Sequence, residues 1–198
     1  MKVLGIALAV ILVILLIVGG IVISGLNKVV RLDESVTAAW AQVENQYQRR
    51  FDLIPNLVST VKGVADFEKK TYTAVTEARA KVGQIKVTPE TLSNPGAFKQ
   101  FQAAQDNLGG ALSRLLVTVE NYPQLKANEN FLQLQAQLEG TENRISVERR
   151  RFNESARTFN TYIRQIPGTF WAGIKGLSKP KVYFEAAKSA QEAPQVKF

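Results

Sequence analysis

Three apolar patterns run along the chain, and each predicts a helix. Residues 3 to 26, VLGIALAVILVILLIVGGIVISGL, carry no charge. As a helix this run is about 36 Å long, enough to cross a hydrocarbon core of roughly 30 Å. From Val36, alternating steps of four and three reach Trp40, Val43, Tyr47, Ile54, Leu57, Val61, Val64, Val75 and Val82, with small Ala78 and the polar exceptions Arg50, Glu68 and Thr71. A sustained 3.5-residue period predicts a long coiled-coil-like helix. It reads as one rod over residues 27 to 83, stopped by Gly83. A second helix carries Phe101, Leu108, Leu112, Leu115, Val119 and Tyr122 on one face; Gly109-Gly110 weakens it, and Pro123 ends it or restarts the chain. In a third, Phe131, Leu138, Ile145, Phe152, Phe159 and Ile166 recur every seven residues until Pro167-Gly168.

The connections fit this division. VTPETLSNPGAF, residues 87 to 98, is rich in turn residues: Thr88 and Pro89 suit a short helical turn, and Asn94-Pro95-Gly96 a break or a start. The tail has aromatics but no helical period. Phe170, Trp171, Tyr183, Phe184 and Phe198 are expected to pack on the bundle, with the lipid–water boundary as the other placement. The predicted fold is therefore all-α: an anchor over 1–26, a bundle of about three long antiparallel helices over 27–166, and an irregular tail over 167–198.

RRFDLIPNL, residues 49 to 57, breaks the pattern. Proline costs about 3 kcal/mol in a helix interior, so Pro55 is expected to kink the rod near residues 51 to 55. Arg50 takes a seam position, as do Glu68 and, on the third helix, Glu148. A lone buried charge is costly, so Arg50 is expected to meet an acid on a facing helix, with Glu148, Glu142 and Glu139 as candidates. The alternative is that its head group snorkels into water. Arg50, Asp52, Pro55, Glu68 and Glu148 are thus candidates for structural or interaction roles.

Composition narrows the chemistry. The 198 residues include no histidine and no cysteine, which removes most zinc, haem and iron–sulfur ligand sets, thiol nucleophiles and Ser-His-Asp triads. No catalytic residue, metal or cofactor is expected. Net charge is +8, and all but Lys2 of the 25 basic residues follow residue 26. Beside an anchor, such a surface suits anionic lipid better than nucleic acid, for which interleaved aromatics are missing. Lys2 lies before the anchor, and Lys28 and Arg31 after it, so charge nearly ties on orientation. The reading adopted places the soluble part outside the cytoplasm.

Other constellations read as bland. Ser178-Lys-Pro-Lys181 has the S-x-x-K spacing but sits in an irregular stretch with a proline between. Asp52 with Glu68, or Glu139 with Glu142, form no evident pocket. Arg149-Arg150-Arg151 covers three helix directions and reads as a solvated face. Leu53, Val58, Phe67, Leu132 and Ile163 lie off the main seams and suggest a second contact surface.

RRFDLIPNLVSTVKG (49–63) and VENYPQLKANENFLQLQAQLEGTENRISVERRRFN (119–153) resemble the signatures of the LemA family of bacterial membrane proteins. YFEAAKSAQEAPQVKF (183–198) is similar to the family's usual ending. Phe152-Asn153 departs from the family's more frequent Tyr-Asn. The resemblance implies a single-pass anchor in the bacterial cytoplasmic membrane, a long-helix domain and no agreed activity; some relatives are associated with magnetosome formation. The expected function is a non-enzymatic membrane-anchored scaffold that self-associates as a homo-oligomer or docks other membrane proteins. The runner-up is a binding or sensory module that regulates a membrane protease or signalling protein.

Overall fold

A computed structural model describes residues 2–64 and 67–185. Among them are six α-helices and no strand: α1 (Lys2–Lys62), α2 (Lys69–Gly83), α3 (Pro95–Val119), α4 (Pro123–Lys126), α5 (Glu129–Arg164) and α6 (Gly168–Lys175), with a single 3-10 turn at Thr91–Ser93. The chain divides into two compact units. One pairs the residues up to Ala38 with Glu154–Lys181, and the other pairs Ala39–Asn153 with Val182 onward. Most of the sequence ending that resembles the family, with Phe198, lies outside the described residues.

In the larger unit the seam positions are the buried ones. Trp40, Val43, Tyr47, Arg50, Ile54, Leu57 and Val61 of α1 are all at or below 7 % exposure. They face Phe98, Phe101, Gln105, Leu108, Leu112 and Leu115 of α3 and Phe131, Leu138, Ile145 and Phe152 of α5, all likewise buried. Each apolar side chain so buried contributes about 1.5–3 kcal/mol. The residue pairs set the directions. Trp40 meets Phe98, Tyr47 meets Phe101, and Arg50 meets Gln105, so α1 and α3 run parallel. Trp40 also meets Phe152, Tyr47 meets Arg149, and Arg50 meets Glu142, so α5 runs against both.

The predicted rod over 27 to 83 is two helices. α1 ends at Lys62, and α2 folds back along it and packs on α3. Phe67 and Tyr122 rings close the turn at 4.9 Å. Glu68, assigned to the seam by its spacing, is exposed beside the start of α2. The expected bundle of long helices, α1, α3 and α5, is present, and α2 joins it as a shorter fourth helix.

The starts follow their sequence signals. Asn94 caps α3, its side chain accepting from Ala97 N at 3.1 Å, with Pro95 in the first turn. Asn128 accepts from Phe131 N at 3.0 Å where α5 begins. Ile166 is an exception to the heptad: it lies beyond Arg164, the last residue of α5, and is 94 % exposed.

The tail is held by side-chain amides. Asn153 accepts from Phe184 N at 2.9 Å and donates to its carbonyl at 3.0 Å. Gln102 treats Glu185 the same way, and Val182 N donates to Leu92 O. Phe184 thereby enters an aromatic cluster with Trp40, Phe98 and Phe152.

The smaller unit gathers the first part of α1, the end of α5, α6 and the residues up to Lys181. Val29, Val36, Ala156, Phe159, Ile163 and Trp171 are buried in it. Asp33 pairs with Lys181 at 2.7 Å, and Asn160 holds the Lys181 backbone through both its N–H and its carbonyl. From Ile6 to Ile23, most large apolar side chains of α1 are about half to two-thirds exposed.

Candidate functional site

A group of charged side chains from three helices meets in the larger unit around the buried Arg50. The seam register points Tyr47 and Arg50 of α1 inward, and Gln105 and Glu142 come to meet them from α3 and α5. Arg50 is 2 % exposed. Its Nη1 donates to Glu142 Oε1 at 2.8 Å; its Nη2 donates to the Gln105 carbonyl at 3.3 Å and to Gln105 Oε1. Of the three acids on α5 named from the sequence, Glu142 is the partner. Glu139 accepts from Gln135, and Glu148 lies at 2.8 Å from Arg151 on its own helix.

Tyr47 links this pair to a second one. Its hydroxyl accepts from Arg149 Nε at 2.6 Å, while Arg149 Nη2 reaches Asp106 Oδ1 at 3.0 Å. Both guanidinium groups lie over the Tyr47 ring, at 5.2 and 5.5 Å from its centre. Burial pushes the Tyr47 hydroxyl above the usual phenol value, and the positive charges of Arg149 and Arg50 only partly offset this. Arg149 is therefore not part of a solvated face; of the run 149 to 151, only Arg150 and Arg151 are exposed.

The remaining candidates are apart from this cluster. Asp52 is exposed and accepts from Gln48 at 2.7 Å. Pro55 is inside α1, which continues through it to Lys62. Its missing N–H frees the Phe51 carbonyl four residues back, and Arg79 of α2 donates to that carbonyl through Nε at 3.1 Å. The Arg79 guanidinium also covers the Phe51 ring at 3.7 Å. In the smaller unit, Ser178 is exposed and Lys181 is engaged by Asp33, so the S-x-x-K spacing makes no nucleophile–base pair.

A cleft of about 280 Å³ opens beside the cluster, walled by Trp40, Tyr47, Phe51 and Phe101 with Glu44 and Gln105 contributing polar atoms. It is slightly smaller than the usual small-molecule site. Among the described residues no three acids converge as metal ligands. The arrangement can hold helices in register and discriminate one packing from another, since a misplaced heptad leaves Arg50 buried without its carboxylate.

Several of these groups escaped the sequence reading. Gln105 left a signal: Phe98, Phe101, Leu108, Leu112 and Leu115 frame it on the buried face of α3, as apolar neighbours frame Arg50 on α1. Arg149, Asp106, Arg79 and Asn153 left none, being polar residues on helices whose outward faces are also polar.

Fold and cluster define a class: an all-α protein whose N-terminal helix is long and apolar enough to cross a membrane and whose buried charges face neighbouring helices. The chain belongs to the LemA family, whose profile matches residues 39–198. It is similar to Magnetosome protein MamQ of Magnetospirillum gryphiswaldense, with 29 % identity over 184 residues covering 85 % of this chain and 67 % of that protein. It is similar too to Protein LemA of Metamycoplasma hominis, at 26 % identity over 170 residues covering 86 % of this chain and 71 % of that one. Neither name denotes an enzyme.

Proposed function

We propose that this protein is a membrane-anchored helical scaffold that works by self-association or by docking other membrane proteins, without catalysis. The observation that carries this reading is the state of the buried polar groups. The inward-facing charges of Arg50 and Arg149 are engaged in interhelix pairs that fix packing. Most large apolar side chains of the α1 run have little cover among the described residues, which suits a lipid surround. Gly19 and Gly20 leave open space beside it, enough for a second helix to approach. The similarity to a protein named for the magnetosome supports a role in organising membrane rather than in turnover of a substrate.

The off-seam apolar residues give less support to self-association than their sequence positions suggested. Val58, Phe67 and Ile163 are buried within the chain itself and Leu53 is partly covered; only Leu132 stays exposed. Self-association through the anchor is therefore favoured over a broad soluble contact. Light scattering on the detergent-solubilised full chain is expected to give more than one chain per micelle. One chain per micelle, together with cross-links to a single stoichiometric foreign protein, refutes self-association and favours the regulatory module.

A further inference from the structure

Helix α6 is apolar on two opposite sides. Gly168, Trp171 and Ala172 are buried against its own unit, while Phe170 and Ile174, one turn apart, are 63 and 56 % exposed. Ile166, just before the helix, is 94 % exposed. A helix apolar all round belongs inside protein or lipid, and no described residue covers the outward face of α6.

Its place in the unit identifies the cover. The Trp171 indole seats on Gly25, where an added Cβ would collide with it, and Tyr162 Oη donates to the Gly25 carbonyl at 3.3 Å. Gly25 lies in the last turn of the charge-free run 3–26, so α6 is held beside the end of that run. Thr169 Oγ1 donates to the Ile163 carbonyl and fixes the helix to the end of α5. Gly168 permits the close approach to Tyr162, and Gly176, at φ 69°, closes the helix.

Charge points the same way. Between Glu154 and Glu185 the sequence has no acid, but it has Arg157, Arg164, Lys175, Lys179 and Lys181. Arg164, Lys175 and Lys179 are exposed and flank the apolar patch; Lys28 lies over the Tyr162 ring at 4.9 Å. Apolar side chains flanked by arginine and lysine, next to a Trp and a Tyr, have the make-up of a segment lying at an anionic bilayer surface.

We infer that α6 is an interfacial foot: Phe170, Ile174 and Ile166 enter the headgroup boundary of the membrane, and the surrounding basic side chains meet anionic lipid headgroups. This deepens the reading above, because it rests on residues 3–26 spanning the bilayer.

The chain has no cysteine, so single cysteines can be introduced and spin-labelled without background. Full-length protein carrying Phe170→Cys or Ile174→Cys is reconstituted in vesicles of phosphatidylcholine with one-quarter phosphatidylglycerol. Leu12→Cys serves as the bilayer reference and Gln133→Cys as the aqueous one. The expected result is a several-fold higher ratio of oxygen to nickel-chelate accessibility at 170 and 174 than at 133. Adding Phe170→Asp to the Ile174→Cys chain is expected to return that label to the aqueous ratio. Aqueous values at 170 and 174 with lipid values at 12 overturn the foot and leave the anchor standing. Labels at 170 or 174 shielded from both reagents and broadened by the same label on a neighbouring copy assign the face to a second copy and overturn it as well. An aqueous value at 12 removes the anchor reading and this inference with it.

Discussion

Glu142→Ala removes the only carboxylate within reach of the Arg50 guanidinium among the described residues. The Glu142 side chain is 41 % exposed, so water can reach part of the vacated site. The expected loss is accordingly about 1–3 kcal/mol of unfolding free energy, below that of a fully buried pair. Arg50→Met, which replaces the charge with an apolar chain of similar length, is expected to cost less, and the double variant less than the sum. Denaturant titration of the four chains of this cycle measures the coupling; strict additivity excludes it. Tyr47 supplies a pH test. Its folded-state pKa is raised above the unfolded value of about 10. Its contribution is therefore full below about pH 10 and is lost as pH climbs through the folded value. Tyr47→Phe is expected to flatten the alkaline limb of the stability profile while leaving its slope at neutral pH unchanged.

Among elements, α1 and α2 depend on each other at Pro55. Arg79→Met leaves the Phe51 carbonyl without its donor and is expected to cost about 1–2 kcal/mol. In a Pro55→Ala background residue 55 regains its N–H and the helix supplies the donor, so the same change is expected to cost markedly less. Thermal melts of the four variants read this non-additivity. The element scale is also where sequence reading succeeded and failed for identifiable reasons. Val36 through Val61 were legible because each apolar residue repeats on one buried stripe. The break after Lys62 was not, because the connecting residues 63–68 amount to almost one heptad, so Val64, Thr71 and Val75 stay in phase with the helix before the turn. Gly63 was the one local hint. α6 was illegible for a different reason: apolar residues on both sides cancel the periodicity that reveals a helix. At the site, Arg50 and the need for an acid partner were legible from the seam, and the choice of Glu142 over Glu148 was not, because it depends on how far α5 slides along α1.

At the scale of the molecule, chain order and spatial order disagree. Tyr162 and Gly25 meet although 137 positions separate them, and Lys181 reaches back to Asp33. A helix cannot by itself take its own side chains out of water, yet Val29 and Val36 are fully buried. Their cover within the smaller unit comes from residues 154–181, which the ribosome makes more than a hundred residues after Val36. Until those residues emerge, the nascent chain carries a bare apolar stripe on α1 at Val29 and Val36. Contacts of such long span form slowly. A ribosome stalled at codon 153 would thus leave a chain lacking that late cover, with Val29 and Val36 open to aggregation.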